Sequence, residues 1–274
     1  MKDFDELKFT DDYMFCKTLV LNPELCKELA EMIIGRKIEK IISVRDQKPV
    51  KALADGKGVR FDVCLEGEDE ICDIEMQNDI DKTVLPKRCR YYQSAMDVEC
   101  LMQGEDYTKL KKSYIIFLCG KKPFEGEDRH IFTFKNICVE KTSLALGDET
   151  VKIFLTPEGT ADDISGEMEE FMAYMTDNTV KTDFAQRLDD AIQAIKNGEG
   201  WRIEYMQLKE KMENQFEAGK EEGRKEGREE GVMSKAIETA KNLLKLNKNT
   251  YEEIAECTGL TIEEIKKLEE DMRI

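Results

Sequence analysis

Val59-Arg-Phe-Asp-Val-Cys-Leu-Glu-Gly-Glu-Asp-Glu-Ile-Cys-Asp-Ile-Glu-Met-Gln77 is the stretch whose reading decides the fold. In its first half Val59, Phe61, Val63 and Leu65 alternate with Arg60, Asp62 and Cys64. In its second half Cys72, Ile74 and Met76 alternate with Asp73, Glu75 and Gln77. Alternation with period two puts each set on one face of a strand. The intervening Glu66-Gly-Glu-Asp69 reads as a hairpin turn. Paired through that turn, the two strands bring Asp62 towards Glu75 and Gln77, with an apolar face behind Glu75.

Outward from this hairpin the pattern is mixed. Upstream, Phe15, Leu19, Leu25, Leu29, Met32 and Ile33 recur at helical spacing over 11–34. Asn22-Pro23 splits that helix and Gly35 stops it. A strand is expected over 38–45, ending before Pro49. Downstream, a helix is expected from Leu85 to Leu101. Ser113-Tyr-Ile-Ile-Phe-Leu-Cys119 then reads as a central strand buried on both faces. Further strands are expected at 131–134 and 151–155, and helices at 166–176, 183–196 and 201–217. Helix, three strands, helix, strand is the order of an α/β sandwich core.

Composition narrows the chemistry. The chain has 274 residues, a net charge of −17, 41% hydrophobic and 37% charged residues. No apolar run approaches the ~18 residues of a membrane span. The opening Met1-Lys-Asp-Phe-Asp-Glu6 lacks the layout of a secretory signal. The nine cysteines form no CxxC pair. Cys64, Cys72, Cys119 and Cys138 sit singly in apolar runs and read as buried, reduced thiols. A cytoplasmic location follows as the expectation. The single histidine, His130, excludes a two-histidine metal site within one chain, and no GxSxG motif accompanies it. It reads as structural. Hydrolytic chemistry here rests on carboxylates, lysines or a metal held by oxygen.

Two carboxylates in a histidine-free site favour a hard cation, Mg²⁺ or Mn²⁺. Such an ion polarises a phosphodiester and lowers the pKa of water. Gln77 would orient water or a phosphate oxygen. Residues 82–122 carry nine Lys/Arg against four Asp/Glu, the reverse of the whole chain. This is either a defined basic groove or a solvated helix face. Within it, Pro86-Lys-Arg-Cys-Arg-Tyr-Tyr-Gln-Ser94 offers Arg88, Arg90, Tyr91 and Tyr92 for phosphate contacts, with Arg88, Arg90 and one of Tyr91 or Tyr92 facing the same cleft as Glu75. Tyr92 also shares a helical face with Cys89 and Met96, which suits packing.

The tail carries Gly219, Gly223, Gly227 and Gly231 at strict four-residue spacing in a charged stretch. It is either a helix whose glycine row meets a partner helix or a flexible linker. Ala236, Ile237, Ala240, Leu243 and Leu244 mark another helix. Thr250-x-x-Glu253 and Thr261-x-x-Glu264 are capping boxes that open two more. The last helix is acidic, so this module reads as packing or oligomerising rather than DNA-reading.

Arg60-Phe-Asp-Val63, Asp73-Ile-Glu-Met-Gln77 and Leu85-Pro-Lys-Arg-Cys-Arg-Tyr-Tyr-Gln-Ser94 resemble the PD-(D/E)XK nuclease family transposases, also called the Rpn family of recombination-promoting nucleases. Thr10-Asp-Asp-Tyr-Met-Phe15, Gly104-Glu-Asp-Tyr107, Lys112-Ser-Tyr-Ile-Ile-Phe117, His130-Ile-Phe-Thr-Phe134 and Lys152-Ile-Phe-Leu155 extend the similarity over roughly 8–158. The resemblance implies a restriction-endonuclease-like core, a mixed sheet flanked by helices, with a helical C-terminal extension. It implies metal-dependent DNA cleavage of low sequence specificity, linked to recombination, transposition or defence. The family's metal carboxylates fall on Asp62 and Glu75, and its usual lysine falls on Gln77, so Arg88 or Arg90 must supply the positive charge. Asp12 matches an N-terminal acidic position and is either a further metal residue or a helix cap. The expected organisation is a nuclease core over 1–160, a helical extension over 161–217, the glycine repeat over 218–233 and a small helical module over 234–274. The expected partners are DNA and a second copy joined through the C-terminal helices. The competing reading is a DNA-binding or oligomerising protein that retains the fold with weak catalysis.

Overall fold

The computed structural model describes residues 2–50 and 58–272, and the side chains of 47–50 lie outside that description. Two compact units divide the chain at Tyr205/Met206. The first holds a six-stranded sheet in the order β1-β2-β3-β4-β6-β5. The strands are β1 Ile41–Val50, β2 Val59–Gly67, β3 Glu70–Gln77, β4 Lys112–Cys119, β5 Ile131–Phe134 and β6 Thr150–Leu155. β2 pairs antiparallel with both β1 and β3, β3, β4 and β6 are parallel, and β5 closes the far edge antiparallel to β6. The sheet is therefore mixed, as expected.

Parallel neighbours need a crossover, and α3 (Leu85–Cys100) supplies it between β3 and β4. Its Leu85, Cys89 and Met96 recur along one face and pack with Phe61, Ile115, Phe117 and Phe154 of the sheet. β4 is buried almost throughout, which explains its unbroken apolar sequence. α1 (Asp12–Leu21) and α2 (Pro23–Ile34) precede the sheet. Pro23 opens α2, where its missing N–H costs nothing, and Gly35 closes it with φ +75°. β1 continues through Pro49 rather than stopping before it. β1 is an edge strand, the one place in a sheet where proline forfeits no ladder bond.

α4 (Gly166–Asp177) and α5 (Asp183–Lys196) follow the sheet, each opened by a hydroxyl cap, Ser165 and Thr182. His130 is structural, its ring held by Asp163 and the Ala161 carbonyl at 3.0 Å each. No disulfide joins cysteines among the described residues, and Cys64, Cys72 and Cys119 are buried. Cys138 is only half-buried, because it lies in a surface loop beyond β5.

The second unit begins within α6 (Glu199–Leu246), a continuous helix that includes the glycine repeat. The separate helix expected from Ala236 is the end of this one. α7 (Tyr251–Thr258) and α8 (Ile262–Met272) carry both predicted capping boxes. Ala240, Ile254, Leu260 and Ile265 form a small core there. Among the described residues no helix is long and apolar enough to cross a membrane.

Candidate functional site

The β2–β3 ladder runs from Glu66↔Ile71 to Val63↔Ile74 and ends there. The next rung would pair Asp62 with Glu75. Instead their side chains enter the gap. The Asp62 amide donates to Glu75 Oε1 at 2.9 Å, and the Met76 amide donates to Asp62 Oδ2 at 3.1 Å. Beyond this point β2 stays paired with β1, while β3 stays paired with β4. The carboxylates thus occupy the crotch where two strands part.

Period-two reading places an apolar face behind Glu75, but both faces of β3 are covered. Asp62 is 7% exposed, and Asp73 and Glu75 are fully buried. The reason is tertiary, since α3 lies over the face that carries Asp73 and Glu75. Burial pushes the Glu75 carboxyl up to about 8, helped by the charge of Asp62. Burial, then the charge of Asp12, pushes Asp62 up to about 6. Asp73 is raised by burial and then by Glu75, and neither of its oxygens has a hydrogen-bond partner.

α3 directs one cation into this cluster. Arg88 Nη2 donates to Glu75 Oε2 at 2.5 Å, and Nη1 donates to Gln77 Oε1. The guanidinium lies over Tyr92, 4.9 Å from its centroid, and over Phe117 at 5.5 Å. Burial works against the Arg88 charge, yet Glu75, Tyr92 and Asp62 together more than offset it and its pKa is raised. Tyr92 stacks edge-on to Phe61 at 5.6 Å, in the packing role its helical position suggested. Gln77 also donates to the Asp79 carbonyl, so both ends of its amide are engaged.

Arg90 and Tyr91 do not join this cleft. At about 100° per residue, Arg90 is turned well away from Arg88. Both residues sit on the exposed side of α3.

α1 closes the cluster from the other end. Asn78, just after β3, donates to the Thr10 carbonyl at 2.6 Å and ties the start of α1 to this end of the sheet. Asp12 is helical, not a cap. The cap position is Asp11, whose Oδ2 accepts from the Lys8 amide. Asp12 is exposed and pairs with Arg60 at 3.6 Å. Its carboxylate, the Cys16 thiol and the Asp62 carboxylate offer ligand atoms all within 4.8 Å of one another. Cys16 Sγ donates to the Asp62 carbonyl at 3.4 Å, and burial pushes its pKa up. Cys16 and Asp73 escaped the sequence reading. Asp12-x-x-x-Cys16 is one helical turn, and Asp73 shares the period-two face of Glu75, so both signals were present.

Carboxylate oxygens gathered this closely suit a hard divalent cation. Asp12, Cys16 and Asp62 are the group whose ligand atoms converge, with Glu75 beside Asp62.

No curated protein and no solved structure matches the chain. A family model does, that of the PD-(D/E)XK nuclease family transposases, over residues 11–257. The six-stranded mixed sheet between helices agrees with that nuclease fold, and nucleases of this kind generally use divalent metals. With the match spanning nearly the whole chain, this protein belongs to the PD-(D/E)XK nuclease family transposases.

Proposed function

We propose that this chain is a divalent-metal-dependent DNA endonuclease of low sequence specificity, acting in recombination, transposition or defence. The observation that carries the reading is the meeting of Asp62 and Glu75 where β2 and β3 part, with Arg88 directed at them from α3. Asp62 and Glu75 would hold Mg²⁺ or Mn²⁺, with Asp12 as a further carboxylate. When bound, the ion supplies positive charge against the phosphate and lowers the pKa of water.

The chain's own groups do the rest. Arg88 stands in for the lysine that Gln77 replaces and would set positive charge beside the phosphate. Gln77 holds Arg88 and turns it towards the cleft. Tyr92 fixes the guanidinium plane by stacking. Arg90 and Tyr91, exposed on α3, contact the DNA backbone and position it without reading sequence. Free cysteines suit a reducing, cytoplasmic setting. In this reading 1–160 is the nuclease core, 161–217 its helical extension, 218–233 the repeat and 234–274 the terminal module.

Incubating pure protein with supercoiled plasmid in Mg²⁺, Mn²⁺ or EDTA, beside Asp62→Ala, tests the reading. Nicking that needs metal and is lost in the variant supports it. Binding without nicking in any metal replaces it with the fold-retaining, weakly catalytic alternative.

A further inference from the structure

The repeat in α6 orders charge as well as glycine. Lys220, Arg224 and Arg228 each follow a glycine, and Glu222, Glu226 and Glu230 each precede one. At about 100° per residue, the basic row lies about 60–100° to one side of the glycine row. The acidic row lies as far to the other side. Glu221, Lys225 and Glu229 occupy the opposite face. Every residue from Lys211 to Lys235 is exposed.

Among the described residues nothing packs against these glycines. A Cβ at Gly219, Gly223, Gly227 or Gly231 would meet no atom within 4 Å. All four are helical, and each costs about 1 kcal/mol against alanine. A bare row flanked by opposite charges is a surface shaped for a helix with the same arrangement.

We propose that residues 211–235 of α6 are the pairing surface for α6 of a second copy, and that the two helices run parallel. The handedness of the rows sets the direction. In a parallel pair the two-fold axis runs along the helices. Each basic row then faces the partner's acidic row on both sides of the glycine contact. In an antiparallel pair the axis runs across the helices, and basic row faces basic row while acidic faces acidic. Only the parallel pair is charge-complementary. The bare glycine row lets the two backbones approach closely where the helices meet. Met212 and Phe216, exposed on the same side just before the repeat, extend the contact.

Sedimentation of the full chain and three variants tests this. The first variant is Lys220→Glu, Arg224→Glu, Arg228→Glu. The second is Glu222→Lys, Glu226→Lys, Glu230→Lys. The third combines all six. The first makes the chain more negative and the second less, so overall repulsion moves in opposite directions. Parallel pairing nevertheless requires both to associate at least about tenfold more weakly than wild type. An equimolar mixture of the two pairs again, and the six-fold variant recovers wild-type association. Monomeric wild type at micromolar concentration overturns the proposal. So does a first or second variant that pairs as tightly as wild type, which is the antiparallel expectation.

Discussion

The Asp62 amide donates to Glu75 Oε1 at 2.9 Å on the rung where the β2–β3 ladder stops. A side chain has taken the place of a backbone acceptor. The two carboxylates are therefore set by the divergence of their own strands; burial and then the Asp62 charge raise Glu75's cost of ionising, and burial and then the Asp12 charge raise that of Asp62. Replacing Glu75 by Gln removes one charge while keeping an acceptor for the Asp62 amide. Metal-dependent cleavage should fall at least about a hundredfold, several kcal/mol of transition-state stabilisation, with the fold retained. Plasmid nicking read beside circular dichroism checks both halves. Cleavage within a few-fold of wild type would remove Glu75 from the site.

pH should act on stability through the same pair. Raised folded-state pKa values mean that the folded chain keeps protons which the unfolded chain releases. Stability from these groups is present below the ordinary carboxylate range and is lost as pH rises through about 6 for Asp62 and about 8 for Glu75. The melting temperature of EDTA-treated protein should therefore decline from about pH 5 to about pH 9. Mg²⁺, which favours the ionised carboxylates, should flatten that decline, as should Glu75→Gln. A metal-free curve that rises over this range contradicts the assignment.

The two arginines of α3 should separate kinetically. Arg88 is engaged with Glu75 and Gln77, whereas Arg90 lies on the exposed side. Arg88→Ala should lower the cleavage rate at saturating DNA by about tenfold or more, the scale of a lost charge-stabilising donor. Arg90→Ala should leave that rate alone, weaken binding, and reduce the slope of log K against log salt by about one. Equal effects of both changes on binding and rate would merge the two roles.

The hairpin and its carboxylates were legible because period two and a polar turn are local signals, carried by Val59–Leu65 and Cys72–Gln77. The central strand at Ser113–Cys119 was legible from its apolar continuity. What escaped depends on packing between distant segments. The burial of Glu75 follows from α3 lying over β3, and period two does not report what covers a face. Cys16 reaches Asp62 only because α1 lies against β2, 46 residues away in sequence. Arg90 was grouped with Arg88 by proximity in sequence, although a helix turns neighbours two apart to different faces. The asymmetric charge rows of α6 emerge only once the repeat is known to be helical throughout.

Asp12 gives a graded test of the acidic cluster. Its charge raises Asp62 after burial has done so, and its carboxylate shares the 4.8 Å cluster with Asp62 and Cys16. Asp12→Asn should weaken Mn²⁺ binding less than either Asp62→Asn or Glu75→Gln, because an exposed group contributes less than a buried one. Competition between Mn²⁺ and a fluorescent chelator gives the order. An Asp12 effect larger than that of Glu75 would shift the site towards Asp12, Cys16 and Asp62.

In the proposed site Asp62 and Glu75 share one cation. Equilibrium titration of Mn²⁺ into metal-free wild type, Asp62→Asn and Glu75→Gln, without DNA, measures it directly. Saturable binding to wild type is expected, with a loss of at least about tenfold in affinity in each single variant. The double variant should be little worse than either single one, as two ligands of one ion require. Unchanged affinity in either single variant, or fully additive losses in the double, would contradict the shared site.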